Sequence, residues 1–190
     1  MEENSFENKP FDKTDLKTDP LKKGYYENCR FINCDFSNAD LSEIKFIECI
    51  FTNCNLSLVN VNKTVFSDAI FKDCKMLGVR FDDCSTFGLA FSFENCSVKH
   101  TSFYKTKIRN TVFKNTQLQE ADFAEADLTN AIFNNCDLLD AKFDHTILEK
   151  ADFRTSFNYF IDPEKNKIKK AKFSLEQVVG LLSKYDIVIE

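Results

Sequence analysis

One spacing constrains this chain more than any other feature, because a large apolar residue recurs at every fifth position. In ADFAEADLTNAIFNNCDLLDAKF, residues 121–143, these residues are Phe123, Leu128, Phe133, Leu138 and Phe143. A helix would bury residues three and four apart, and a strand would bury residues two apart. Neither element has a period of five, so the chain is predicted to be a repeat protein.

The spacing holds at 25 positions in two runs, although only 43% of the residues are hydrophobic. The first run extends from Tyr26 to Phe81 and the second from Phe93 to Phe153. The residue two positions before each large one is usually small, most often Ala, Thr or Cys. One small and one large inward residue in each unit predict that the chain turns after every five residues.

Four such turns close a square coil of 20 residues, and each coil pairs its backbone with the next at about 4.8 Å. Residues 20 apart should then stack in columns. Two opposite faces are expected to hold aromatic columns, one with Phe113, Phe133 and Phe153 and the other with Phe103, Phe123 and Phe143. The sequence therefore predicts an all-β, four-sided solenoid.

The repeat divides the chain into three predicted segments. Residues 24–173 form the solenoid, and residues 1–23, which fit the repeat less well, form a mobile N-terminal cap or a partial first coil. Residues 174–190 are expected to close the open end of the core with a short helix and a strand. Between Phe81 and Phe93 the register slips by two residues, which predicts a wide strand or a bulge over 82–93.

No catalytic, cofactor or metal site is predicted. All eight cysteines occupy the small inward position, where a thiol acts as a small hydrophobe. No CxxC pair is present, and His100 and His145 fall at outward positions. The sequence also lacks a phosphate-binding glycine loop and a nucleophile with a neighbouring base.

The unit Ala126-Asp127-Leu128-Thr129-Asn130 resembles the repeat of the pentapeptide repeat family, whose fold is a right-handed quadrilateral β-helix. Within that family, the Asp162-Pro163 turn and the Ala171-Lys172-Phe173 unit before the C-terminal segment are similar to the Qnr quinolone-resistance proteins. This resemblance implies a two-fold dimer through the C-terminal helix and strand. It also implies an acidic rod that imitates duplex DNA and binds DNA gyrase or topoisomerase IV. The loop insertions of the topoisomerase-protecting Qnr members are absent from this chain.

Two surfaces are predicted to bind partners. The net charge is −5, and acidic residues concentrate between Thr116 and Phe153. The candidate acidic partner-binding surface consists of Glu120, Asp122, Glu125, Asp127, Asp137, Asp140 and Asp144. The candidate dimer interface consists of the apolar residues of the C-terminal segment, which are Leu175, Val178, Val179, Leu182, Ile187, Val188 and Ile189.

Two functions remain open at this point. One is a DNA-mimicking binder of a type II topoisomerase that modulates the enzyme or gives quinolone resistance. The other is a structural or protein-interaction module with an unknown partner. A continuous acidic stripe along the rod would favour the first, and scattered, neutralised charge the second. Direct binding of nucleic acid is not expected, and neither is membrane insertion. The polar N-terminus has no signal-peptide core, so a cytoplasmic location is expected.

Overall fold

The computed structural model describes residues 4–13, 16 and 19–188. They form a solenoid with four faces, and two of these faces contain regular parallel sheets. Face A has the strand order β1 (Asn4–Glu7), β3 (Gly24–Glu27), β5 (Lys45–Ile47) and β7 (Val65–Ser67). Face B has the order β2 (Pro10–Asp12), β4 (Arg30–Ile32), β6 (Ile50–Thr52), β8 (Ala69–Lys72), β9 (Phe91–Glu94), β10 (Val112–Lys114) and β11 (Ile132–Asn134).

Faces C and D are held together by single parallel bridges rather than by full strands. On face C the bridges run from Asp35 to Phe157, and on face D they include the series from Arg80 to Lys142. Bridges also continue face A beyond its strands, from Lys107 to Lys167. Val112 pairs with Ile132, so one coil contains 20 residues, and the predicted all-β four-sided solenoid is confirmed.

The corners form because one residue in almost every unit adopts a left-handed backbone conformation. This residue lies two positions after the large one, as in Asn33 with φ 54° and Asn53 with φ 52°. Asparagine tolerates this region better than most residues. Several of these asparagines also bond along the corner between faces B and C, where Asn53 Nδ2 donates to Asn33 Oδ1 at 2.7 Å. The local sequence thus supplies both the turn and a link between coils.

The interior is a stack of the predicted columns. Phe113, Phe133 and Phe153 stack at centroid distances of 4.9 and 4.5 Å, and Phe103 and Phe123 stack at 4.9 Å on the opposite face. The eight cysteines are all buried. Cys49 Sγ donates to the carbonyl of Tyr26 at 3.1 Å, and burial raises the pKa of this thiol to about 12. Thr64 makes the same kind of bond to Leu41 at 2.7 Å, which explains why Cys and Thr share this position.

The described N-terminal residues form the partial first coil that the sequence predicts as the alternative to a cap. β1 and β2 pair in register with β3 and β4, so residues from Asn4 onward form part of a first coil rather than a separate cap. Phe6 and Phe11 extend the aromatic columns and stack on Tyr26 and Phe31.

The register slip is a loop, and it is neither the wide strand nor the bulge that the sequence predicts over 82–93. Phe81–Asp83 forms a 3₁₀ helix, a turn at 87–88 follows, and the strand begins only at Phe91. Gly88 has φ +69°, which breaks the extended conformation. Phe87 consequently points into solvent with 86% of its surface exposed. The coil regains its register because Phe71 pairs with Phe93, 22 residues later.

The C-terminal segment differs from the predicted helix and strand. It contains two 3₁₀ helices, Val178–Leu181 and Ser183–Tyr185, and Ser174 Oγ accepts the backbone N–H of Gln177 at 3.3 Å. An α-helix does not form because the Gly180 carbonyl accepts the N–H of Ile161 at 3.1 Å instead of continuing a helical ladder. Residues 187–188 lie outside any strand, and Ile189 lies outside the described residues.

No helix among the described residues combines the length and the hydropathy needed to cross a membrane.

Candidate interaction surfaces

The seven predicted acidic residues are distributed over three faces of the solenoid. Asp137 lies on face C, and Asp127 lies on face A, according to their bridge partners. Asp122 lies on face D with Asp144 in the next coil. Glu120 and Asp140 share the corner between faces C and D, and Glu125 occupies the corner between D and A. The set therefore does not form one stripe.

Most of these carboxylates already have partners. Asp127 is only 5% exposed, and both Arg109 Nη2 at 2.6 Å and Nε at 2.7 Å contact its Oδ2. Burial alone would raise the pKa of Asp127, but the hydrogen bonds from Arg109 and Thr129 hold this pKa below its usual value. Asp127 is consequently a structural residue rather than part of an accessible surface.

Glu120, Glu125 and Asp137 are also engaged. His100 Nδ1 lies 3.1 Å from Glu120, and Lys105 Nζ lies 3.5 Å from Glu125. The hydroxyl of Tyr104 donates to Glu125 at 2.9 Å. Asp137 accepts the side-chain amides of Gln119 and Asn158. These contacts run between coils, so the charges help to hold the solenoid together.

The least neutralised acids lie at the C-terminal end of face D. Asp122, which pairs by a backbone bridge with Lys142, accepts the N–H of Ala124 at 2.9 Å. Asp144 has only His145 at 3.2 Å, and Asp140 has no ion pair to any residue that the structure describes. The part of the predicted surface with the fewest charged partners among the described residues is therefore small and consists of Asp122, Asp140 and Asp144.

The second predicted surface is exposed. Leu175 is 90% and Val188 86% exposed, and Ile187 and Val179 expose 56% and 44% of their surfaces. Val178 and Leu182 are half-buried. Leu139, Val179, Leu182 and Ile187 line a shallow groove of about 450 Å³, which we call the C-terminal groove.

Two residues of this end were missed by the sequence analysis. Leu139 and Phe160 are each 49% exposed, and both occupy positions of the repeat that are polar in most units. An apolar residue at an outward position could have been recognised in the sequence as a sign of an exposed apolar surface, because packing of the interior does not require it. These residues extend the exposed apolar area beyond the tail and onto the last coils.

Charged contacts hold the tail against the last coil. Lys184 Nζ contacts both Asp162 Oδ1 and Glu164 Oε2 at 2.7 Å, and the Tyr185 hydroxyl donates to Glu164 at 3.0 Å. The hydrogen bonds from Lys184 keep the pKa values of the Asp162 and Glu164 carboxyls below their usual range. The C-terminal groove is thus presented on a fixed segment.

The geometry offers little for chemistry. Among the described residues, no group of three His, Cys, Asp or Glu side chains is placed to hold a metal ion. The described surface depressions are open, and buried side chains fill the interior.

Comparison with known proteins defines the family. A sequence profile of the pentapeptide repeat region matches residues 25–92 and 90–157, which together are more than half of the chain. The chain belongs to the pentapeptide repeat family. The match covers most of the solenoid of this pentapeptide repeat protein and confirms the resemblance that the Ala126–Asn130 unit indicates. Comparison with curated protein sequences gives no significant match.

Solved structures share the fold of this pentapeptide repeat protein. Two structures of trypsin-treated QnrB1, a plasmid-mediated fluoroquinolone resistance protein, align with TM-scores of 0.60 and 0.59 at 19% and 18% identity. Each alignment covers 98% of this chain and 97% of the other. HetL, a pentapeptide repeat protein involved in heterocyst differentiation regulation in the cyanobacterium Nostoc sp. strain PCC 7120, aligns at 10% identity with a TM-score of 0.42. That alignment covers 91% of this chain and 85% of HetL.

Proposed function

We propose that this pentapeptide repeat protein is a non-enzymatic protein-binding module that works as a homodimer in the cytoplasm. The observation that carries the proposal is the C-terminal groove and the exposed tail beside it. Val179 and Ile187 expose about half of their surfaces on a segment that Lys184 fixes in place. Burying apolar surface is favourable by about 25 cal/mol per Å². A two-fold axis would let the same patch cover itself on a second copy.

The dimer is tested by charging the groove. We expect the full chain to sediment at twice 22.0 kDa and the Val179→Glu/Ile187→Glu variant to sediment as a monomer, because two carboxylates would have to be desolvated at the interface. Leu58→Glu is the control, since Leu58 is 59% exposed at the corner between faces C and D, where the equivalent position in a later coil holds Glu120. It should remain dimeric. A wild-type chain that is monomeric at tens of micromolar contradicts the proposal.

We further propose a type II topoisomerase as the partner, which makes the protein a modulator of DNA gyrase or topoisomerase IV. The Qnr-like fold along the whole chain supports this choice of candidate. In this contact, the carboxylates of Asp122, Asp140 and Asp144 would bind a basic groove of the topoisomerase. Because the other acids are scattered and paired, they favour the protein-interaction module over imitation of DNA along the entire rod, and a topoisomerase contact would be local to these three acids.

Charge reversal tests the topoisomerase proposal. The wild-type protein should alter gyrase supercoiling or its inhibition by a quinolone, and Asp140→Lys/Asp144→Lys should weaken that effect at least tenfold. Glu48→Lys/Asp68→Lys makes the same change of charge at exposed corners between faces A and B, where Lys150 and Lys170 show that lysine fits. This control should retain activity. If the wild type has no effect, the topoisomerase proposal is wrong and the homodimer proposal is unaffected.

A further inference from the structure

Lysines crowd one edge of the last two coils in a protein whose net charge is negative. Five of them, Lys150, Lys165, Lys167, Lys169 and Lys170, are exposed. None of the five has a carboxylate within ion-pair distance among the residues described, whereas Lys72, Lys105 and Lys114 do have acidic partners. We call these five residues the lysine edge.

The repeat brings these lysines together. Lys150 and Lys170 occupy the same corner between faces A and B in consecutive coils, with φ of 59° and 61°. Lys167 bridges to Ile147 on face A, and the Lys150 N–H donates to the Lys169 carbonyl at 3.0 Å. Coils are about 4.8 Å apart, so the ammonium groups repel one another unless an anion lies between them.

Acids near the lysine edge do not neutralise it. Glu149 is the one carboxylate within the edge, and it is half-buried. Asp152 is held by Arg154 at 2.7 Å, and Lys172 is more distant from it at 3.9 Å. Asp162 and Glu164 are both occupied by Lys184. The edge therefore keeps a local positive charge that the net value of −5 conceals.

We propose that the lysine edge binds the phosphate backbone of a nucleic-acid duplex without reading its sequence. Four residues of the edge lie within the six residues from Lys165 to Lys170, a density that is typical of phosphate-binding patches. Lysine acts as a point charge towards phosphate, and the edge contains no arginine fork for base edges. The exposed ring of Phe160 lines one depression with Lys165, but Lys150, Lys167, Lys169 and Lys170 are absent from the lining of that depression, so stacking of unpaired bases is not the main contact.

This inference revises an expectation based on total charge. A protein with a net negative charge is expected to avoid nucleic acid. At physiological salt, however, screening limits the electrostatic field of a charged group to about 8 Å, so the charge near the contact matters more than the net charge. The most acidic part of the surface is on face D, whereas the lysine edge lies on face A and its corners. One edge can therefore contact phosphate while another face binds a basic protein surface.

The test uses a fluorescein-labelled DNA duplex and measures its anisotropy as the full-length protein is added at low salt. Binding should weaken with salt, with a slope of about −4.5 in log K against log [salt] if all five lysines contact phosphate. The Lys167→Gln/Lys169→Gln/Lys170→Gln variant should bind at least tenfold more weakly, with a slope of about −1.8. A duplex RNA should bind as well, because the contact is with phosphate.

The matched control is Lys9→Gln/Lys63→Gln/Lys75→Gln, which removes the same charge from three separate places. It should change the affinity less than twofold. Equal losses in the two variants would mean that overall charge, and not the edge, determines binding. The proposal is also overturned if the duplex does not bind at low salt, if single-stranded DNA binds more tightly, or if only vesicles containing phosphatidylserine bind.

Discussion

Replacing Phe133 with alanine is expected to lower the free energy of unfolding by about 3–5 kcal/mol. Phe133 is 1% exposed and lies in the middle of the face B column. Its ring stacks on Phe113 at 4.9 Å and on Phe153 at 4.5 Å. It also meets the edge of Phe123 from the opposite column at 5.9 Å. Truncation removes all of these contacts and leaves a cavity that the rigid coils above and below cannot close.

The adjacent residue supplies the control. Ile132 lies on the same strand, β11, but points outward and is 42% exposed, so Ile132→Ala should cost less than about 1 kcal/mol. Phe133→Leu keeps an apolar side chain in the column, so its loss of unfolding free energy should lie between the losses of Phe133→Ala and Ile132→Ala. Urea unfolding followed by circular dichroism measures all three. A loss below about 1 kcal/mol for Phe133→Ala would show that the column does not hold the coils together.

The solenoid was predictable because its interior has a strict spacing in sequence. Phe113, Phe133 and Phe153 are 20 apart, and every coil repeats the same two inward positions, so the period alone predicts four sides. The corners follow from the same register, since Asn33 and Asn53 fall at the positions that need a left-handed backbone. Each repeat unit has the same local geometry, so every unit supports the same prediction.

Features that break the repeat were not predictable in the same way. The loop around Phe87 depends on the left-handed conformation of Gly88, and an alternating apolar sequence such as Phe87-Gly88-Leu89 also fits a strand.

The candidate acidic partner-binding surface was chosen by the density of its residues in the sequence. Consecutive charges point to different faces of a four-sided coil, so neighbours such as Glu125 and Asp127 separate in space. Pairing between coils, as in Arg109 with Asp127, depends on residues 18 apart.

The predicted C-terminal helix was wrong for a related reason. Its apolar pattern and the Ser174–Gln177 box are features of an α-helix. The last coil, however, has unpaired backbone groups, and these compete for the same carbonyls. Ile161 takes the carbonyl of Gly180, and the segment tightens into 3₁₀ turns to make that bond. A tertiary hydrogen bond thus overrides a local preference.

Gly180→Ala is expected to detach the tail from the solenoid. A methyl group at Gly180 would overlap with the Tyr159 carbonyl oxygen and would lie 2.9 Å from Tyr159 Cδ2, well inside contact distance. Tyr159 is buried and cannot retreat, since its ring packs on Phe153 and Phe173. The tail has to move instead, and the hydrogen bond from Ile161 to Gly180 is lost with it. Overpacking of this kind costs about 1–3 kcal/mol.

The consequence for assembly should exceed the consequence for folding. The tail packs on the last coil, whereas the face B column extends over nine large residues from Phe11 to Phe173. The coils should therefore remain folded in Gly180→Ala. The C-terminal groove, by contrast, is built from Val179 and Ile187 on either side of the substituted residue. Displacing them removes the self-complementary patch, and the proposed dimer should dissociate.

Two measurements separate these effects. Hydrogen exchange of the Ile161 amide reports whether the tail is docked, and sedimentation reports whether the chain is dimeric. Gly88→Ala is the control, because a methyl group there has no neighbour closer than Ser67 Oγ at 3.9 Å although φ is +69°. It should lose about 1–2 kcal/mol through backbone strain while Ile161 stays protected and the dimer persists. If Gly180→Ala keeps Ile161 protected, the close packing of this glycine is not what fixes the tail, and the groove does not depend on it.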